Sequence, residues 1–392
     1  MKNKPEVKRI PCASIAHFFL LDQLLTINNF FKRKKKMKKA KMTICLMAVV
    51  FIVSANMNLC HAVEYQIIDL GVLQNGSHTY ASGINESGQV VGGSEIAPGQ
   101  SRAFFWDSSN GMRNLGTLGG ISSTAYGINN AGQVVGYDGR MGAFIWDSSN
   151  GIRELGSGNW WAAGINESGQ VVGATFLDTQ AFIWQNGVRT KLGTLGGDES
   201  YGEGINNAGQ VVGSAELDEY TKHAFLWKDG SMIDLGVLTG GSNSDGQNDS
   251  YAYGINNSNQ VVGWSDTLQG HRHAFLWDSI SGMQDLGMNG FGSEAYAIND
   301  LGWAVGKSYF PSKPYERATL WRDGEMIELD TLLPANSGWN YLGYARGINN
   351  NGWIVGMGVT DSGEERAFLF IPEPATLLLL GFGGLVLRRK RR

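Results

Sequence analysis

Tyr65-Gln66-Ile67-Ile68-Asp69-Leu70-Gly71 reads as a lone β-strand placed ahead of a repeat array, and Ala367-Phe368-Leu369-Phe370 reads as a strand at its far end that lacks its usual successor. Between them one phrase recurs: Gly-Ile-Asn, a short turn, then Gln-Val-Val-Gly. Its isoleucines are Ile84, Ile128, Ile165, Ile205, Ile255, Ile298 and Ile348, spaced 37 to 50 residues apart. That period suits propeller blades and other repeat arrays. The sixth copy departs most, with Ala297 before its isoleucine and Trp303-Ala304-Val305 in place of Gln-Val-Val.

Each unit reads as four short strands. The first ends in Gly-Ile-Asn, and a tight turn leads to the second, Gln-Val-Val-Gly. After a variable loop comes the third, Ala-Phe-apolar-Trp, as in Ala143-Phe144-Ile145-Trp146. A turn containing Asn186-Gly187, Asp229-Gly230 or Asp323-Gly324 leads to the fourth, such as Met232-Ile233-Asp234-Leu235-Gly236. Those pairs tolerate the positive φ of two-residue hairpins. No stretch of the region has helical periodicity.

The third strand decides the architecture. Its Phe and Trp face one way, and the residue between them faces the other. That middle residue is Phe105, Ile145, Ile183, Leu226, Leu276, Leu320 or Leu369, always apolar. A strand apolar on both faces needs cover on both sides, which radially stacked sheets supply. Tyr65–Gly71 matches the fourth-strand phrase, and the seventh unit lacks a fourth strand before Pro372. Joining them predicts a closed, all-β, seven-bladed β-propeller of four-stranded antiparallel blades. The competing architecture, an open β-solenoid, needs capping units at both ends.

The phrases His223-Ala224-Phe225, His273-Ala274-Phe275, Asp234-Leu235-Gly236 and Leu115-Gly116-Thr117-Leu118-Gly119-Gly120 resemble the HAF repeats of extracellular bacterial proteins. The resemblance spans residues 65–370 and implies an exported repeat protein. It implies no activity and no catalytic residues.

The ends read as addresses. Met37 opens a basic stretch ahead of the apolar run Met42–Ala55, and Cys60-His61-Ala62 offers small residues at a cleavage position. This is the layout of a secretory signal peptide. The expected true start is Met37, and signal peptidase is expected to cut between Ala62 and Val63, so residues 1–62 form a removable extension. Residues 63–371 then form the propeller and 372–392 the tail. The tail runs Pro372-Glu373-Pro374, a short apolar segment Ala375–Leu387, and Arg388-Arg389-Lys390-Arg391-Arg392. It resembles the PEP-CTERM sorting signal. That resemblance implies an outer-membraned bacterium, transient insertion of the tail in the inner membrane, and removal by an exosortase partner.

Composition and charge fit this reading. The chain has 55 glycines but also 12 tryptophans and 17 phenylalanines, so it has cores to pack as well as turns to make. Its overall charge of −4 hides basic ends, which leave about −19 on residues 63–374. Such a body excludes nucleic acid as partner. All three cysteines, Cys12, Cys45 and Cys60, precede Val63, so the mature chain is expected to have neither disulfides nor thiolate metal sites.

No catalytic motif is present: there is no His-Glu-x-x-His, Gly-x-Ser-x-Gly or P-loop. Asp245 and Asp249, with Asn243 and Asn248, could gather oxygen ligands for calcium, although a solvated polar loop explains them better. His271 and His273 read as a hydrated strand end rather than a metal pair. The asparagine after each repeated isoleucine reads as a turn-former. In a four-stranded meander the variable loops gather on one face of the ring. That face is expected to present Trp160, Trp161, His271, Phe310, Tyr315, Trp339 and Tyr341 to a sugar or protein partner. The expectation is a non-enzymatic surface or matrix protein binding exopolysaccharide or another protein. The alternative is a secreted propeller hydrolase or lyase that uses carboxylates on the same face to act on glycans.

Overall fold

Each repeat folds into four antiparallel strands, and seven such sheets stand in a ring as a seven-bladed β-propeller. The computed structural model describes residues 65–372 apart from 75, 157, 159, 239–247, 269 and 288–291. One short 3-10 turn, Leu329–Leu332, is the only helical element among the described residues. The first strand of each blade lies innermost. These strands are Thr79–Ile84, Ser123–Ile128, Trp160–Ile165, Ser200–Ile205, Ser250–Ile255, Ser293–Ile298 and Trp339–Ile348. Each touches the first strands of both neighbouring blades, so together they form the wall of a central channel.

The two-sided third strand is the reason the sheets stack. Phe104, Phe144, Phe182, Phe225, Phe275 and Phe368 are fully buried. Phe144 packs in one cluster with Val91, Ala103 and Phe105 of the preceding blade, and Phe275 does the same with Val212, Ala224 and Leu226. The Phe of one blade therefore faces backward and the middle apolar residue faces forward. Burying each ring contributes roughly 2 kcal/mol or more. Hairpin turns behave as their sequences predict: Asn186, Asp229 and Asp323 have φ near +50°, each followed by a positive-φ glycine.

Closure follows the expected route. Strand Tyr65–Asp69 pairs antiparallel with Glu365–Pro372, with Ile67 opposite Phe370 and Asp69 opposite Phe368. Ile67 packs in the cluster of Phe368 and Phe370, and Ile68 in the cluster of Leu369. The edge that an open array would expose is thereby paired.

The repeated asparagines are structural. Each side-chain Nδ2 donates to the main-chain carbonyl of the asparagine in the next blade. The ring runs Asn85 to Asn129, Asn166, Asn206, Asn256, Asn299 and Asn349, and returns to Asn85. The residue after each forms a second ring, in which a side-chain oxygen accepts the main-chain N–H of its counterpart in the preceding blade. Seven blades are thus laced together on the face of the short turns.

The glycine ending Gln-Val-Val-Gly serves a close approach, not a turn. A Cβ at Gly92, Gly136, Gly173, Gly213, Gly263, Gly306 or Gly356 would overlap the carbonyl oxygen of the innermost strand beside it. That backbone is displaced by a β-bulge present in every innermost strand.

Candidate functional site

In each innermost strand the unpaired, bulged residue stands two positions before the repeated isoleucine. Bulges re-aim side chains. Here they direct Ser82, Tyr126, Ala163, Glu203, Tyr253, Tyr296 and Arg346 into one cavity of about 700 Å³. Tyr80, Trp161 and Tyr344, two residues earlier on their strands, widen its wall, and His78, Tyr137 and Phe176 stand at its rim. The innermost strands run from the variable-loop face to the short-turn face, so the cavity opens among the variable loops. Below it the channel narrows to the ring of seven isoleucines.

The wall is aromatic and internally braced. Trp161 packs on Phe176 with ring centroids 4.8 Å apart, and Phe176 lies 5.6 Å from Tyr137. Trp264 Nε1 donates to the Tyr253 hydroxyl at 3.1 Å, and Tyr296 donates to Glu294 at 2.9 Å. Burial pushes the hydroxyls of Tyr126, Tyr253 and Tyr344 up to about 12, and that of Tyr296 higher still. These phenols therefore stay neutral.

Two opposite charges face each other within this wall. Glu203 belongs to the fourth blade and Arg346 to the seventh, three blades away around a ring of seven. The Arg346 guanidinium lies over the ring of Tyr296 at 4.0 Å and near that of Tyr344 at 5.4 Å. Desolvation raises the Glu203 carboxyl to about 7, and the field of Arg346 offsets only part of this. Glu203 is in part accessible to the channel, and its enclosure by the ring of blades disfavours the charged form. Among the described residues Glu203 is the only carboxylate lining the cavity.

The residues named from sequence fare differently. Trp161 lines the cavity. Trp160 is 1% exposed, edge-on to Phe182 at 4.7 Å, and Trp339 is 8% exposed, edge-on to Phe368 at 6.1 Å. Both are core residues, contrary to the expectation of surface aromatics, because adjacent strand positions point to opposite faces and theirs point between blades. Tyr315 and Tyr341 stack on each other at 5.6 Å outside the cavity, with Arg317 over Tyr341 at 4.5 Å. Phe310 is half-buried and also lies outside the cavity wall. The His271 carbonyl accepts from the Thr267 backbone and hydroxyl, closing a tight loop. His223 and His273 pair with Asp234 and Asp285 of their own blades at 2.8 Å, which joins the two repeat phrases within one sheet. Asp249 braces neighbouring loops: its carboxylate accepts from the Lys222 N–H at 2.9 Å, and its own N–H donates to Asp266. No three His, Cys, Asp or Glu side chains gather as a metal site among the described residues, and Asp245 lies outside them. The Ala62–Val63 junction, Glu373 and Pro374 also lie outside them, whereas Pro372 ends the closing strand.

Sequence reasoning sought individuality in loops and missed Tyr126, Glu203, Tyr253, Tyr296, Tyr344 and Arg346. The available signal was the position two before each isoleucine, which varies inside the most repeated phrase of the chain.

Residues 370–392 match the PEP-CTERM protein-sorting motif, the mark of an exported protein processed at the membrane and the signal that exosortase recognises. No family match supports the HAF-repeat resemblance. No curated protein matches the chain. Among solved structures the chain is similar to a puromycin hydrolase, with 12% identity and a TM-score of 0.51 over 76% of this chain and 52% of that one. The chain thus spans about half the length of that hydrolase. It is also similar to the WD40 domain of Toxoplasma gondii coronin, with 9% identity and a TM-score of 0.41 over 80% of this chain and 88% of that one. These likenesses concern the fold.

Proposed function

We propose that this exported propeller is a non-enzymatic surface or matrix protein that takes a glycan into the mouth of its central channel. The observation that carries the reading is the contrast within one strand. The glycine and isoleucine positions repeat around the ring with one exception, whereas the bulged position beside them is Ser, Tyr, Ala, Glu, Tyr, Tyr or Arg and lines the cavity. Its volume, aromatic wall and few convergent polar groups suit a small ligand. Tyrosine and tryptophan faces stack on sugar rings while their polar atoms meet hydroxyls.

The test is a glycan array probed with the purified protein, followed by Trp161→Ala and Tyr253→Ala. Binding that falls about tenfold or more in either variant, a loss of roughly 1.4 kcal/mol, supports the reading. Array binding unchanged by both substitutions, or no binding at all, sinks it.

Glu203 favours the second reading, an enzyme acting on glycans, because a carboxyl that titrates near 7 can donate a proton at neutral pH. Glycosidases ordinarily use two carboxylates across the scissile bond, and among the described residues only one lines this cavity. New reducing ends or unsaturated products, formed by the native protein and not by Glu203→Gln, would replace binding with catalysis.

A further inference from the structure

We infer that the cavity recognises a carboxylate-bearing sugar, a uronic acid at the end of a chain, whose acid group docks on Arg346. This deepens the proposed glycan reading and rests on it.

Arg346 carries the argument. Among the described residues its guanidinium makes no ion pair and no hydrogen bond; its contacts are the faces of Tyr296 and Tyr344. The rings hold the fork in place at the cavity wall. A planar fork of unengaged donors matches a carboxylate in two-point contact, which a neutral hydroxyl cannot equal. Glu203, across the channel, is beyond ion-pair distance and accepts no hydrogen bond from a described residue. A ligand can therefore stand between the two. When protonated, Glu203 donates to that ligand instead of repelling it. The side chains facing it from other blades are Arg346, Tyr126, Tyr253 and Tyr296, with His78 and Tyr344 nearer the rim. Tyr80 and Tyr137 complete the wall, His78 is paired with Glu365 at the rim, and Glu203 is the group at this level that burial raises to about 7. The net charge of about −19 on residues 63–374 opposes a long polyanion, and the narrowing channel admits a chain end. Both features select a terminal acidic residue.

The experiment is calorimetric titration of the purified protein with an oligouronate and with the same oligosaccharide after reduction of its carboxyls to primary alcohols. The oligouronate is expected to bind about tenfold tighter or more. Arg346→Gln is expected to weaken the oligouronate far more than the reduced form, so that the preference disappears, and Arg346→Lys to restore part of it. Between pH 6 and pH 8 the preference should shrink in the native protein and hold steady in Glu203→Gln. Equal affinity for the two probes, or equal weakening of both by Arg346→Gln, overturns the inference and leaves glycan binding standing. A preference that shrinks with pH in Glu203→Gln as well removes Glu203 from the recognition. Binding of neither probe overturns the inference, and the glycan array alone then decides the glycan reading.

Discussion

Burial acts more strongly on Glu203 than any charged neighbour does, so its carboxyl titrates near 7 rather than at the ordinary 4.5. The consequence for stability has a definite sign. Below pH 4.5 the group is protonated whether the chain is folded or not. As the pH rises from 4.5 to 7 the unfolded chain ionises freely while the fold resists, and native stability is lost over that interval. Above 7 the loss is constant. Glu203→Gln keeps the shape and removes the charge, so its unfolding temperature should equal that of the native protein at pH 4. At pH 8 it should exceed the native value by roughly 1–2 °C, the shift that about 1 kcal/mol produces in a domain of this size. A scan in which the substitution lowers the unfolding temperature at pH 8 would contradict this account. The same scale explains Trp160 and Trp161. They are adjacent in sequence, yet one is sealed against Phe182 and the other lines the cavity. Their types are identical, and only strand register separates them.

Turns between the first and second strands do more than reverse the chain. Asn166 accepts the N–H groups of Ser168 and Gln170 at its Oδ1, and donates to Gln170 and to the Asn206 carbonyl of the next blade. Asn166→Ala strands the Asn206 carbonyl, whose bond is buried, along with the part-buried groups of its own turn, and should cost about 1–3 kcal/mol. Glu167→Ala removes only an exposed contact with the Asn130 N–H and should cost about 0.5 kcal/mol or less. Denaturant unfolding of the two variants distinguishes a ring that holds the blades from a turn that merely forms; equal losses would refute the former. How legible these elements were depended on whether their cause was local. The strands were readable because alternation and Asn-Gly turns act within a few residues. The Asn-to-carbonyl ring was not, because its partner lies in the next blade some forty residues away, and the bulge was not, because it is a shift of register between two strands and not a residue type. Gly173 illustrates this: it reads as the end of a strand, and only the approach of the Trp161 carbonyl shows why no side chain fits there. Had the bulges been foreseen, the alignment of their side chains would have named Glu203 and Arg346.

Closure joins the fold to the chain's addresses. The sorting motif begins at residue 370, inside the closing strand Glu365–Pro372, so its first three residues are already sheet. That strand runs toward the short-turn face, and its antiparallel partner Tyr65–Asp69 begins there. Both ends of the propeller therefore stand on the face opposite the cavity mouth. The seam itself is two strands joined by backbone pairing across the whole ring. Because Gln66 stands opposite Ile371, cysteines at these two positions in a chain begun at Val63 would be the only ones present. Gln66 is exposed and Ile371 only partly buried, so the exchange spares the Phe368 and Phe370 core. Gln66→Cys with Ile371→Cys should oxidise to an intramolecular disulfide in the monomer and raise stability by about 3–5 kcal/mol, the range for tying a very long loop. Reduction should return it to the native value. Free thiols persisting under oxidant, or disulfide-linked dimers in place of the closed monomer, would mean that the first strand does not complete the seventh blade in solution.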